Sequence, residues 1–398
     1  MINLHDLDTI RPTPLDEEIE RRRSDPLPLR QIPDPNGAGR RLTAGVVAFA
    51  IFAVAMGVGL ISIADRTSAP GAWNGYASGW TQLPAPPVQR TGATLVWTGS
   101  ELLSWGGVEP GRRGGSVDGF SFDPSDGQWQ AMPAAPWAAR RAIGMWTGSE
   151  ALFFIRDEHR VLHPLAFDPT SGAWRRFPAA PGPIEKGTRV SLVWTGQEAL
   201  LQGGGPGEMG ISAGYTWWAL RPAAGVWAHV PMSDLDLSGA MSTWTGTQLL
   251  AVPEHPEMRT TARHPYAQLY TPATQEWLVI GAPPVDRRLN LDVVGGRTIA
   301  WNGSGTAQWF DTGEWIRRDR TPLQQRGPLV AGAVVGDLLF TWNGGAPAVW
   351  SADTSEWTSV APPAPSSSEV VFGTQTAAGD GVVVDAGQAL WLWKPPVG

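Results

Sequence analysis

Residues 95–107, LVWTGSELLSWGG, and residues 122–133, FDPSDGQWQAMP, decide how this chain is read. The first stretch sets two apolar runs around a tight WTG turn, where Gly99 permits the positive φ that such a hairpin needs. The second opens on an Asp-Pro turn, enters Trp129 and closes on Pro133. Together they spell four short strands, a to d, with Trp129 at the start of strand d.

Both stretches recur. The first returns as GMWTGSEALFF from Gly144, LVWTGQEALLQGGG from Leu192 and STWTGTQLLAV from Ser242. Weaker copies are DVVGGRTIAWNG from Asp292, AVVGDLLFTWNGG from Ala333 and TAAGDGVVV from Thr376. The turn glycines are Gly99, Gly148, Gly196, Gly246, Gly296, Gly336 and Gly379, at intervals of 40 to 50 residues. The second stretch repeats around Trp80, Trp129, Trp174, Trp227, Trp277, Trp315 and Trp357. Four antiparallel strands in a repeat of about 45 residues make one propeller blade. The expected fold is all-β, a seven-bladed β-propeller of four-stranded antiparallel blades. A bulky apolar residue at one place in every repeat reads as packing between blades.

The phase of the repeat predicts how the ring closes. The repeat region opens on an orphan strand d at Trp80 and stops after strands a, b and c near Ala389–Trp393. Residues 80–84 should therefore complete the last blade and remove the ring's free edges. The propeller is assigned to residues 80–398.

An apolar strand, a double glycine, aromatic-x-Asp, a short turn, Trp and Pro, in that order, resembles the kelch motif. Gly106-Gly107, Gly203-Gly204 and Gly344-Gly345 supply the double glycine, while the second and fourth blades lack it. The resemblance is to the kelch type of propeller, including the central domain of galactose oxidase. It implies the propeller fold, an Arg near strand a that bonds neighbouring backbone, and either a binding module or an enzyme acting on carbohydrate. The family's Cys–Tyr cofactor is excluded, because the chain has no cysteine.

Composition narrows the function classes. The net charge of −7 gives no electrostatic case for nucleic acid. Without cysteine there is no disulfide, thiolate zinc site or cysteine nucleophile, and no metal or cofactor is expected. Lysine occurs only at Lys186 and Lys394 among 30 basic residues, which reads as the codon bias of a GC-rich, actinobacterial type of bacterial genome.

The N-terminal region reads differently. Residues 42–64 form an uncharged run of membrane-spanning length, with Arg40 and Arg41 before it. That pattern predicts a single-pass transmembrane helix in the cell membrane, with a cytoplasmic N-terminus and an extracytoplasmic propeller. The length of the run and of the segment before it argue against a cleaved signal peptide. Residues 1–41 read as a disordered cytoplasmic tail, and residues 65–79, with Pro70, Gly71, Gly75 and Gly79, as a linker. The lipid bilayer is then one partner.

Strand alternation sorts the connections onto two faces. The a–b and c–d turns share one; the irregular b–c and d–a loops share the other, where function usually lives. Arginine precedes strand a in five blades: Arg90, Arg140 with Arg141, Arg189, Arg287 with Arg288, and Arg326. Two readings stand side by side for them, backbone-bonding structural residues or a ring for anionic ligands. On the second reading, Arg90, Arg141, Arg189, Arg288 and Arg326 are the candidate ligand-binding residues. Two polar b–c loops, 156–160 and 255–264, hold residues suited to general acid–base work, but no metal-ligand spacing, nucleophile elbow or phosphate loop is visible. The sequence therefore favours a non-catalytic, membrane-tethered module for a protein or glycan ligand on the irregular-loop face. The alternative is an extracytoplasmic carbohydrate-active enzyme, epimerase- or sialidase-like, with an Arg-lined site.

Overall fold

A computed structural model of the protein describes residues 72–396 apart from 183–189, 205–214, 234–236, 238–239, 254–265, 286–288, 303–305, 310–312, 319–331, 343–345, 364–373 and 387–388. Chain-order labels begin with β1 (Gly79–Gln82). Blade 1 is β2 (Thr94–Trp97), β3 (Leu102–Trp105), β4 (Gly119–Asp123) and β5 (Gln128–Ala131); blade 2 is β6 (Ala142–Trp146), β7 (Ala151–Arg156), β8 (Leu162–Asp168) and β9 (Ala173–Arg176). Blade 3 is β10 (Ser191–Trp194), β11 (Ala199–Gly204), β12 (Tyr215–Arg221) and β13 (Val226–His229); blade 4 is β14 (Met241–Trp244), β15 (Leu249–Val252), β16 (Tyr266–Thr271) and β17 (Glu276–Gly281). Blade 5 is β18 (Asn290–Val294), β19 (Arg297–Trp301), β20 (Thr306–Trp309) and β21 (Trp315–Arg318); blade 6 is β22 (Ala333–Val335), β23 (Leu338–Thr341), β24 (Ala348–Ser351) and β25 (Trp357–Ser359). Blade 7 is β26 (Gln375–Ala378), β27 (Gly381–Asp385), β28 (Leu390–Lys394) and the returning β1.

Each blade is an antiparallel four-stranded sheet in sequence order except the last, whose order is β1-β28-β27-β26. There Trp80 lies opposite Trp393 and Gln82 opposite Trp391, so the first strand completes the last blade. The seven-bladed, four-stranded architecture and its closure are as the repeat predicts.

Two turn chemistries hide under the apparently single a–b repeat. In blades 1 to 4 the Thr of WTG organises a four-residue connection. Thr98 Oγ1 accepts the Glu101 N–H at 2.9 Å, and Thr147, Thr195 and Thr245 do the same for Glu150, Glu198 and Gln248. Blades 5 to 7 use two-residue hairpins instead, with Val294 paired to Arg297, Val335 to Leu338 and Ala378 to Gly381. The c–d turns of blades 1 and 2 are Asx turns: Asp123 Oδ1 accepts the Ser125 N–H, and Asp168 Oδ1 accepts that of Thr170, both at 2.8 Å.

The core is divided among the gaps between blades. Seven apolar clusters fill seven such gaps, from Leu103, Trp105 and Phe153 between blades 1 and 2 to Leu102, Phe122 and Leu392 between blades 1 and 7. β2 and β6 approach so closely that a Cβ on Gly144 would stand 2.5 Å from Val96 Cγ2. The repeated tryptophans pack into these gaps and also bridge them. Trp129, Trp174, Trp227 and Trp277 donate their indole N–H to the carbonyls of Pro84, Pro133, Pro178 and Pro231, all at 2.7–2.9 Å.

The expected linker contains a core residue. Trp73 is fully buried, stacks on Trp97 and Phe122, and donates its indole N–H to the Ala378 carbonyl at 2.6 Å. Lys394 Nζ reaches the Trp73 carbonyl at 3.0 Å and pairs with Asp380 at 3.1 Å. The plug therefore sits where the two ends of the propeller meet.

One part of the sequence reading is corrected. Among the described residues no helix is long and apolar enough to cross a membrane. Their apolar residues are instead distributed over short strands of three to seven residues. Residues 42–64, expected as the transmembrane helix, and residues 1–41, expected as a cytoplasmic tail, lie outside the described residues. The transmembrane helix is therefore removed from the fold class. The single-pass topology, the extracytoplasmic placement and the bilayer as partner rested on it and are not carried further.

Candidate functional site

The irregular-loop face carries a small, solvent-open cleft at the junction of blades 7 and 1. One wall comes from the connection after β1, with Ala85, Val88 and Arg90. The facing wall comes from the β27–β28 connection, with Asp385 and Leu390, and Leu95, Ser104 and Phe120 complete the lining. Residues more than 290 positions apart in the chain thus build one site, because the closing strand brings the two ends of the propeller together.

Arg90 organises this corner. Its side chain is 4% exposed and donates from Nη1 to the Asp118 carbonyl at 2.8 Å. Nη2 faces Asp118 at 3.5 Å and Glu109 at 3.6 Å, and the guanidinium lies over the Phe120 ring. The double glycine explains the fit: a Cβ on Gly107 would stand 3.0 Å from the Arg90 Cβ and 2.9 Å from the Ala93 nitrogen. Arg90 Nε is buried without a hydrogen-bond partner.

Of the other candidate arginines, Arg141 is exposed and lies along Gly92 of the preceding loop. Arg189, Arg288 and Arg326 lie outside the described residues. The described pair therefore divides: Arg90 bonds the backbone of its own blade, whereas Arg141 presents its charge to solvent.

The polar loop of blade 2 is tied down by its own acid. Asp157 Oδ1 accepts the Val161 N–H at 2.8 Å, and Oδ2 faces His163 Nε2 at 2.8 Å. Burial works against the Asp157 charge, but the bonds from His163 and Val161 outweigh it and hold the carboxyl below its usual range. Trp137 meets His163 edge-on, and the Arg176 guanidinium lies 5.2 Å from the Trp137 ring. The carboxylate is thus engaged in shaping the loop. The second polar loop, with His255, Glu257, Arg259 and His264, lies outside the described residues.

A buried acid appears where the repeat gave no sign of one. Asp292 of β18 keeps a small opening to solvent but is surrounded by protein; it accepts the Trp301 indole N–H at 2.6 Å. Burial pushes its carboxyl up to about 7. Among the described residues no cluster of three or more His, Cys, Asp or Glu is arranged to hold a metal ion.

No protein-family model matches the chain, and no curated protein matches it. The kelch and galactose-oxidase kinship drawn from the repeat is therefore corrected, and the propeller fold stands alone. Turn glycines, polar c–d turns and one bulky slab per blade serve the geometry of a four-stranded blade, so their recurrence speaks for the fold and not for descent. The epimerase- or sialidase-like alternative rested on that kinship and is not carried further.

Proposed function

We propose that this propeller is a binding module that takes its ligand in the cleft between blades 7 and 1. The observation that carries this reading is the mixed lining of a cleft whose two walls come from opposite ends of the propeller. Val88, Leu95, Phe120 and Leu390 suit an apolar side chain, while Arg90, Ser104 and Asp385 suit the polar backbone beside it. That mixture fits an extended peptide segment. Arg141 stands near the same face as an exposed cation for an acidic flank.

The test is a peptide array probed with the full chain and with its Ala85→Trp variant. Ala85 is exposed at the rim of the cleft, so the larger side chain fills the opening without entering the core. Peptides held by the natural chain and lost by the variant, at equal melting temperature, support the reading. Equal binding by both proteins places the ligand elsewhere.

A further inference from the structure

The exposed large apolar residues of the described chain are not scattered. Val226, Met232, Leu278, Val279 and Ile316 all lie on, or just after, the outermost strands of blades 3, 4 and 5. Leu278 and Val279 are 58% and 54% exposed, and being adjacent they project to opposite faces of β17.

β17 differs from the six other outer strands. It has six residues where they have three or four. After its tryptophan it continues Leu278-Val279-Ile280, where β9 continues Arg175-Arg176, β21 Ile316-Arg317-Arg318 and β1 Thr81-Gln82. Charged and polar side chains on an outer strand discourage a further strand from pairing there. β17 lacks that protection, and no strand of the described residues pairs with its outer side.

The geometry points to β17 as the seam of a homodimer, in which β17 of a second copy adds antiparallel to it. The strand is complementary to itself. A two-fold axis at Val279 sets 277–281 against the same stretch of the partner and places Glu276 opposite Ala282, whereas an axis at Leu278 sets 277–279 against itself and Glu276 opposite Ile280; in neither register does Glu276 face a carboxylate. Main-chain hydrogen bonds join the two edges, and Leu278 and Val279 are covered on both faces. Six residues at about 3.3 Å each give a seam of about 20 Å, short for the roughly 800 Å² per partner of a stable interface. Val226 and Met232 on one side and Ile316 on the other are exposed apolar residues on the flanking outer strands that widen the surface on offer.

The experiment uses the full chain and its lack of cysteine. Sedimentation velocity across a concentration series is expected to show a dimer, and Val279→Lys a monomer with an unchanged melting temperature. Under mild oxidation Leu278→Cys or Val279→Cys, whichever lies on the axis, is expected to form a covalent dimer. Facing residues there stand about 4.5–5.5 Å apart between Cα atoms, within disulfide reach. A chain that stays monomeric throughout overturns the inference, as does a dimer that survives Val279→Lys. So does a photoreactive residue at 278 that links to residues 1–71 of its own chain, which would assign the edge to that segment instead.

Discussion

Trp80 donates its indole N–H to the carbonyl of Ala361 at 2.7 Å, across 281 residues of chain. The bond belongs to a series. In six of the seven blades the repeated Trp reaches the residue four positions after the repeated Trp of the preceding blade, whether Pro84, Pro133, Pro178, Pro231, Gly281 or Ala361. Trp357 departs from it and donates to Thr306 Oγ1. In those six blades the Trp and the residue four positions after the preceding Trp, a proline in four of them, are thus two halves of a joint between neighbours. Trp80→Phe keeps most of the packing against Phe340 and Trp342 and removes the donor. It should cost about 1 kcal/mol in a urea titration, and Trp80→Ala about 3 kcal/mol.

Trp73 should prove as important as any repeated tryptophan. Trp73→Ala empties a fully buried site against Trp97 and Phe122 and leaves the Ala378 carbonyl without its donor. The expected loss is about 3–5 kcal/mol, read from equilibrium denaturation. Deleting residues 73–85 removes both this plug and β1, and should abolish the cooperative melt.

Arg90 and Arg141 should separate in the same assay. Arg90→Met strands the Asp118 carbonyl and two nearby carboxylates, and should destabilise by about 2–4 kcal/mol. Arg141→Met changes only an exposed side chain and should shift stability by less than about 0.5 kcal/mol.

Asp292 should make stability fall as pH rises. Its folded pKa of about 7 lies above the usual 3.8, so between those values the folded chain holds a proton that the unfolded chain has lost. Stability contributed by the neutral acid is complete below pH 3.8 and lost as pH climbs through about 7. Asp292→Asn keeps an acceptor for the Trp301 indole and removes the charge. Denaturation at pH 8 should show the variant more stable, by on the order of 2 kcal/mol, and the difference should vanish near pH 4.

Thr98 tests the WTG turn. Thr98→Val preserves shape and deletes the oxygen that accepts the Ser100 and Glu101 N–H groups. A loss of about 1 kcal/mol is expected, whereas blades 5 to 7, with their two-residue hairpins, have no equivalent to lose.

The blade count, the strand order and the closing strand were legible because each rests on a residue type that recurs at a fixed place: the counterparts of Trp129 and Gly99 return in phase in all seven repeats. The split between two turn types was not, since Gly99 and Gly296 look alike until the Thr98 hydroxyl is seen at work. Trp73 was missed because it stands outside the repeat, where only the meeting of the two ends gives it neighbours. The cleft escaped notice for the same reason: Arg90 was visible, but nothing in the sequence places Asp385 and Leu390 opposite it. Asp292 sits in a strand that reads as ordinary until its surroundings close around it. The kelch kinship was over-read from a pattern that serves blade geometry in unrelated chains; the membrane helix was read from residues 42–64 and their flanking arginines, which lie outside the described residues, and no helix among the described ones is long and apolar enough to cross a membrane.

The closing strand also sets a timetable for the nascent chain. β1 leaves the ribosome ahead of the seven blades, and β28 emerges only at the end. At about 5–20 residues per second the first strand waits tens of seconds for its mate. A waiting strand is an invitation to pair wrongly, and GWTQ answers it with four residues, three of them small or polar. The latch can stay open in water until the last blade arrives to receive it.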